Sequence, residues 1–127
     1  RLMTFENMKV AVLGLAFKPG TDDLREAPSL DNVRLLLEHG ANLVCYDPVA
    51  AENFHLKYPN VPLANSVEEA LDGAFCCFIF TEWEEFVRLS PEVFRRKMRV
   101  PLVYDGRNIF DPDNMKRCGV EYYSIGR

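Results

Sequence analysis

Apolar and polar positions alternate with two different periods along the chain, and this predicts strands and helices in turn. Short apolar runs indicate strands, and apolar residues that recur three or four positions apart indicate helices. The predicted strands are 9–15, 42–46, 61–63 at an edge, 74–80, 100–104 and 121–124. The predicted helices are 28–39, 50–58, 66–70, 81–89, 91–98 and 112–117.

Strands that alternate with helices imply a parallel sheet joined by right-handed crossovers. We therefore predict an α/β fold, a Rossmann-like three-layer sandwich whose mostly parallel sheet is flanked by helices. A chain of 127 residues has the length of one domain.

Composition excludes several classes of function. The formal net charge is -4, with basic residues scattered among acids, which argues against a nucleic-acid surface. The apolar runs are much shorter than the roughly 20 residues that span a bilayer. Residues 1–9 lack a signal-peptide pattern, so we expect a cytoplasmic protein with no membrane partner.

The four cysteines show no spacing typical of a metal site. We expect Cys45, Cys76, Cys77 and Cys118 to be free, buried thiols, with no metal bound. Neighbouring residues of a strand point to opposite faces, so Cys76 and Cys77 should serve the two sides of the sheet. A catalytic thiol would need an electropositive, partly exposed setting, and the apolar neighbours of these cysteines argue against it.

The loop that follows the first strand is dense in charge. Residues 17–25 carry Lys18, Asp22, Asp23 and Arg25. Ligands of open α/β sheets bind at the carboxyl ends of the strands, so this loop suggests an anionic ligand. The Gly-x-Gly-x-x-Gly fingerprint of a dinucleotide site is absent, and side-chain cations would have to bind the phosphate instead. The alternative is a solvated cluster in which these charges pair with one another.

A second loop follows the strand 100–104 and should emerge at the same edge of the sheet. Its Arg107 would then converge with Lys18 on one ligand. We expect Asp105 to be a structural acceptor, because Asp and Asn build turns around glycine. The alternative for Arg107 is a turn residue whose side chain lies in solvent.

Two segments resemble the signatures of a known family. The first is GLAFKPGTDDLR at 14–25, and the second is YDGRN at 104–108. They resemble the C-terminal, UDP-binding domain of the UDP-glucose/GDP-mannose dehydrogenases. Asp47-Pro48 and TEWEEF at 81–86 also resemble segments of that domain in residue type and in their order along the chain. The resemblance therefore covers nearly the whole chain. Enzymes of this family oxidise the C6 alcohol of a nucleotide sugar to a carboxylate in two NAD-dependent steps, through a thioester on a cysteine.

The resemblance implies roles for four residues. Phe17 and Lys18 would touch the UDP-sugar substrate, Arg107 would bind its nucleotide or diphosphate portion, and Arg25 would reach NAD. The NAD would be held mostly by an N-terminal domain of the same protein, and the full enzyme would be a homo-oligomer.

The same resemblance implies a division of the chain. Residues 1–8 would be the end of a linker from a preceding domain, and residues 9–127 the UDP-sugar-binding domain. The catalytic-cysteine motif and the NAD fingerprint of the family are missing from this sequence. We therefore expect the chain to bind the substrate of a UDP-glucose 6-dehydrogenase-like oxidoreductase and not to catalyse by itself.

Two other classes of function stay open at this point. One is a stand-alone nucleotide- or CoA-binding regulatory module without catalysis, which would share the α/β layout. The other is an interaction domain that packs Trp83, Phe86 and the region of Phe94 against a partner, although aromatic residues at helical spacing more often belong to a core.

Overall fold

A computed structural model of the chain describes residues 6–25 and 27–124, in which strands and helices alternate as expected. The strands are β1 (Lys9–Leu13), β2 (Asn42–Tyr46), β3 (Cys76–Ile79), β4 (Leu102–Asp105) and β5 (Glu121–Ser124). The helices are α1 (Pro28–Glu38), α2 (Ala51–Lys57), α3 (Val67–Leu71), α4 (Glu84–Val87), α5 (Glu92–Lys97) and α6 (Pro112–Arg117).

The five strands form one sheet in the order β2-β1-β3-β4-β5, and every pairing is parallel. The predicted fold class is therefore confirmed. The chain runs from β1 outward to β2 and then returns to β3 on the other side of β1. This reversal creates a switch point between β1 and β3, beside which ligands bind in open α/β sheets.

Each face of the sheet has its own apolar core. On one face, β1 and β2 pack against α1 and α2 through residues such as Val33 and Phe54. On the other, helices α3 to α6 contribute residues such as Phe94 to the second core. Cys76 belongs to the first core and Cys77 to the second, which confirms that the two thiols serve opposite faces.

Several predicted elements differ from the structure by one or two residues at their ends, and two differ more. The edge strand at 61–63 is wrong, since only one bridge forms there, between Leu63 and Cys45. Pro62 has no N–H with which to extend a ladder. The helix predicted from residue 81 begins at Glu84, because Thr81 turns its hydroxyl onto the carbonyl of Ala16.

The proposed linker falls largely outside the described residues. Residues 1–5 are not described, and Glu6 forms an antiparallel bridge with Ala41. The boundary between residues 8 and 9 therefore stays a prediction.

Candidate anion-binding site

The start of the β1–α1 loop is held by a buried carboxylate. Asp47 follows β2, is 4% exposed, and accepts hydrogen bonds from the backbone N–H groups of Leu15 and Ala16 at 2.8 and 3.1 Å. The same oxygen accepts from Trp83 Nε1 at 3.0 Å. The other oxygen accepts from the backbone N–H groups of residues 49–50 at 2.8 and 2.7 Å. Asp47 thus joins three segments at the carboxyl edge of the sheet.

The role of Asp47 was missed by the sequence analysis, which used Asp47-Pro48 only as part of a resemblance. A signal was present, because Asp47 directly follows a buried apolar strand and can therefore be buried itself. An acidic residue is rarely buried unless it is paired, so partners for Asp47 were to be expected. The sequence did not show which donors would pair with it.

Two hydroxyl groups satisfy the carbonyl oxygens of the same loop. Ser29 Oγ donates to the carbonyl of Leu15 and Thr81 Oγ1 to that of Ala16, each at 2.7 Å. Gly14 has a φ of 91°, and a Cβ there would lie 2.6 Å from the backbone nitrogen of Thr81. The loop therefore leaves the sheet along a single, tightly packed path.

Beyond the segment that Asp47 holds, the residues of the loop that we predicted to contact a ligand lie at the surface. Phe17 is 45% exposed, and its backbone N–H donates to the carbonyl of Asp23 at 2.9 Å. Lys18 is also exposed and forms no hydrogen bond or ion pair within residues 6–25 and 27–124. Its positive charge helps to lower the pKa of Asp23.

Arg25 forms a fork with Asp23. Nε donates to Oδ1 at 3.1 Å and Nη2 to Oδ2 at 2.9 Å, with the arginine side chain 88% exposed. The hydrogen bond from Arg25 is the main cause that lowers the pKa of Asp23, and Asp23 in turn raises the pKa of Arg25. The alternative offered by the sequence, in which the loop charges pair with one another, therefore holds for these two residues. Around them lies a cavity of about 700 Å³, whose other lining residues are Thr21, Asp22, Leu24, Leu30, Asn53 and Lys57.

The β4 loop is built around a second buried carboxylate. Asp105 is 1% exposed and accepts from the backbone N–H groups of Arg107 at 2.8 Å and Ile109 at 2.7 Å. It also accepts from the Tyr122 hydroxyl at 2.6 Å. The prediction that Asp105 is a structural acceptor is confirmed.

The side chain of Arg107 is held against a carboxylate from the β3–α4 loop. Its Nη2 donates to Glu82 Oε2 at 2.8 Å, and the two side chains are 36% and 37% exposed. This hydrogen bond is the main cause that lowers the pKa of Glu82, and the backbone N–H of Glu82 adds to it. The sequence analysis did not identify Glu82 as a partner, because residues 82 and 107 meet only through tertiary structure.

Arg107 also lines a cleft of about 440 Å³ whose floor is aromatic. The ring of Tyr104 stacks between those of Phe78 and Tyr123, with centroid distances of 5.0 and 5.4 Å, and Phe80 continues the row at 6.0 Å from Phe78. The remaining lining residues are Pro28, Asn32, Asp105, Gly106 and Ser124. An arginine at the rim of an aromatic cleft suits an anion that carries a flat or apolar portion.

The two predicted cations lie in loops at the same edge but do not touch. Lys18 follows β1 and Arg107 follows β4, and β3 lies between these strands, so the two loops leave the sheet about 10 Å apart. Among the described residues, the partner of Arg107 is Glu82, and neither Phe17 nor Lys18 lines either cavity.

The thiols do not form a reactive or metal-binding centre in the described part of the chain, where no cluster of three His, Cys, Asp or Glu side chains could hold a metal. Burial raises the pKa of Cys45 to about 12 and that of Cys76 to about 11, and the pKa of Cys77 lies well above its usual value. Cys118 is free but only half-buried, so its expected burial is wrong. It caps the C-terminus of α6, where the chain turns at the surface.

None of the helices found in residues 6–25 and 27–124 is long and apolar enough to cross a membrane.

This architecture, a parallel sheet with two charged loops at its carboxyl edge, defines a nucleotide-binding class of domain. Residues 11–112 match the UDP binding domain of the UDP-glucose/GDP-mannose dehydrogenase family. The chain belongs to that family and corresponds to that domain, as the two loop signatures predicted.

Individual relatives agree. The chain is 42% identical over 129 residues to a UDP-glucose 6-dehydrogenase of Pseudomonas aeruginosa, with 97% of the chain and 28% of the relative covered. It is 42% identical over 120 residues to the UDP-glucose 6-dehydrogenase AglM of Haloferax volcanii, with 94% and 26% covered. It is also similar to the structure of an NDP-N-acetyl-D-galactosaminuronic acid dehydrogenase from Methanosarcina mazei, with a TM-score of 0.80, 30% identity, and 98% and 26% covered. The chain thus spans about a quarter of the length of these relatives.

Proposed function

We propose that the chain is the UDP-binding domain of an NAD-dependent nucleotide-sugar dehydrogenase resembling UDP-glucose 6-dehydrogenase. Such an enzyme oxidises the C6 alcohol of the sugar to a carboxylate and yields a UDP-uronic acid. The chain binds the nucleotide end of the substrate. The observation that carries this proposal is Arg107, a cation held at the rim of an aromatic cleft, in a domain of the matching family.

Within this proposal, Arg107 binds the nucleotide or diphosphate, and Phe17 and Lys18 contact the UDP-sugar from the β1–α1 loop. The chemistry of the side chains supports these separate roles for Arg107 and Lys18. The guanidinium group can fork onto phosphate or ribose oxygens, whereas an ammonium group on a flexible stem suits a diphosphate as a point charge. Binding then draws the two loops onto one ligand from across β3.

Arg25 is assigned to NAD, which an N-terminal domain of the same protein holds for the most part. The exposure of Arg25 supports this role, because its side chain is 88% exposed to solvent and can be reached by another domain. Its fork with Asp23 leaves guanidinium N–H groups available for a phosphate. The proposal also includes a homo-oligomeric full enzyme and a cytoplasmic location, which the four free cysteines suit because thiols persist in reducing compartments.

The experiment is a titration of the chain with UDP, followed by calorimetry and by NMR. We expect Lys18→Ala and Arg107→Ala each to weaken UDP binding by about tenfold or more, since a charge-assisted hydrogen bond contributes about 1.5 to 3 kcal/mol. Matched controls are Lys116→Ala on α6 and Arg88→Ala, whose guanidinium pairs with the exposed Glu84. The controls should bind UDP as the unaltered chain does.

Three outcomes would contradict the proposal: no binding of UDP, equal losses in the control variants, or preference for CoA over UDP. The last outcome would favour the stand-alone regulatory module. For Arg25, the test uses the full-length enzyme, in which Arg25→Ala should raise the KM for NAD and leave UDP affinity almost unchanged.

A further inference from the structure

The contact between Glu82 and Arg107 is a single hydrogen bond, which we call the tether. Only Nη2 donates to the carboxylate, at 2.8 Å, whereas Arg25 uses both Nε and Nη2 on Asp23. The remaining guanidinium N–H groups of Arg107 have no acceptor within residues 6–25 and 27–124. Asp23 therefore occupies the Nε and Nη2 edge of Arg25, whereas Glu82 takes only one donor of Arg107 and leaves more of its guanidinium group open to a phosphate.

The tether also restricts where the guanidinium group can go. Arg107 has a long side chain that is 36% exposed, and a free side chain of this kind loses rotamer freedom when it binds a ligand. Glu82 holds one end of the group while the cleft beside it stays open. The Arg107 side chain is therefore partly ordered before the ligand binds, and binding loses less of its rotamer entropy.

The carboxylate has an opposite effect through its charge. The hydrogen bond from Arg107 lowers the pKa of Glu82, so Glu82 is ionised at neutral pH. Its second oxygen, Oε1, is buried and has no hydrogen-bond partner among the described residues. An anion that approaches Arg107 therefore meets a guanidinium group whose charge is already offset by a carboxylate.

We propose that Glu82 is a positioning residue, which orients Arg107 for UDP through the single hydrogen bond from Nη2 to Oε2 and moderates the affinity through its negative charge. This inference rests on the proposed function. Orientation and charge act in opposite directions, so two substitutions at residue 82 separate them. Alanine removes both effects, whereas glutamine keeps an oxygen that accepts from Nη2 and removes the charge.

The experiment measures UDP binding to the chain with Glu82→Ala, Glu82→Gln, Arg107→Ala and the double variant with alanine at both positions. We expect Glu82→Ala to bind UDP about threefold to tenfold more weakly than Glu82→Gln, because both variants lack the charge and only alanine loses the orientation, whose size is an ordered side chain's entropy cost. Glu82→Gln should tighten binding by about threefold or more. In the double variant, the loss of Glu82 should add nothing to the loss of Arg107.

Several controls keep a structural role apart from a positioning role. Glu84→Gln removes a neighbouring carboxylate that pairs with Arg88 on the surface, and it should leave UDP affinity unchanged. The Nη2–H signals of Arg107 should exchange faster with solvent in Glu82→Ala than in Glu82→Gln, in the absence of any ligand, because Nη2 is the group that donates to residue 82. If Glu82→Ala does not fold, Glu82→Gln still tests the charge, and this exchange signal in Glu82→Gln and the unaltered chain still tests the tether.

The inference is overturned if Glu82→Ala and Glu82→Gln bind UDP equally well while Arg107→Ala binds more weakly. That result would leave the proposed function intact. It is also overturned if Glu82→Gln weakens binding, or if Glu82→Ala costs as much without Arg107 as with it. Absence of UDP binding to the unaltered chain would instead overturn the proposed function, and the inference with it.

Discussion

At the scale of single residues, two buried aspartates hold the backbone of the loops that form the site. Asp47 and Asp105 each follow a strand directly, and each collects backbone N–H donors from the loop or turn beside it. A buried carboxylate is stable only when such donors surround it. The cations that we assign to ligand binding stand on loops that these carboxylates hold.

We predict that Asp47→Asn destabilises the chain by about 2 to 4 kcal/mol. The amide group has one acceptor oxygen, and its NH₂ group would face donors, so several buried N–H groups would lose their partner. Urea unfolding can be followed through Trp83, the single tryptophan, which donates to Asp47. The control is Asp22→Asn, since the Asp22 carboxylate has no hydrogen-bond partner within residues 6–25 and 27–124. Equal stability of the two variants would contradict the assigned role of Asp47.

The cysteines lead to a second prediction at this scale. Cys45, Cys76 and Cys77 are buried thiols with raised pKa values, whereas Cys118 is half-buried. Because alkylation requires an accessible thiolate, iodoacetamide at pH 8 should modify one thiol per native chain and all four after unfolding. Mass spectrometry gives the count, and Cys118→Ser should reduce the native count to zero. Rapid modification of Cys76 in the native chain would contradict this assignment.

At the scale of elements, the β1–α1 loop is buried and tightly packed where it leaves the strand and exposed farther along. Gly14 lies where backbone and side-chain atoms of Thr81 would meet a Cβ, and Gly20 has open space around it. Both have a positive φ, of 91° and 86°. A side chain at Gly20 would therefore add only the cost of the backbone conformation, whereas one at Gly14 would add the cost of close packing as well.

We predict that Gly20→Ala costs about 1 kcal/mol of stability, which is the usual strain of a left-handed residue. Gly14→Ala should cost at least about 2 kcal/mol more, because the contacts of 2.6 to 2.7 Å with Thr81 force the loop to shift. Thermal and urea unfolding give the two values. If both variants lose the same stability, then the backbone at residue 14 moves freely and the packed path described above is wrong.

At the scale of the whole molecule, burial of thiols makes stability depend on alkaline pH. The pKa of Cys45 is raised from 9.0 to about 12, so the folded chain keeps its proton where the unfolded chain loses it. Its contribution is fully present below pH 9.0 and is lost as the pH rises through about 12.

We therefore predict that the free energy of unfolding falls between pH 8 and pH 10.5, with Cys45 responsible for about 1 to 2 kcal/mol of that fall. Urea midpoints at several pH values measure it. Cys45→Ala should show a shallower fall than the unaltered chain, and Cys118→Ala, from a half-buried site, serves as the control. Parallel curves for Cys45→Ala and the unaltered chain would rule out the thiol as the cause.

The sequence predicted most of the fold because its evidence is local. The strands 42–46 and 121–124 and the helix 112–117 match β2, β5 and α6 residue for residue, since turn residues and prolines mark both of their ends. Weaker local signals failed, as at 61–63, where one bridge replaces a strand. The loop signatures also identified the family correctly, because they preserve both residue type and spacing.

By itself, then, the sequence determined the alternation of strands and helices, the opposite faces of Cys76 and Cys77, and the structural role of Asp105. Tertiary structure decided which residues from separate segments meet. It joined Asp47 to Trp83 and Arg107 to Glu82, and it separated the loops of Lys18 and Arg107 by β3. Periodicity and turn chemistry act over a few residues, whereas these contacts depend on the order in which parallel strands pair.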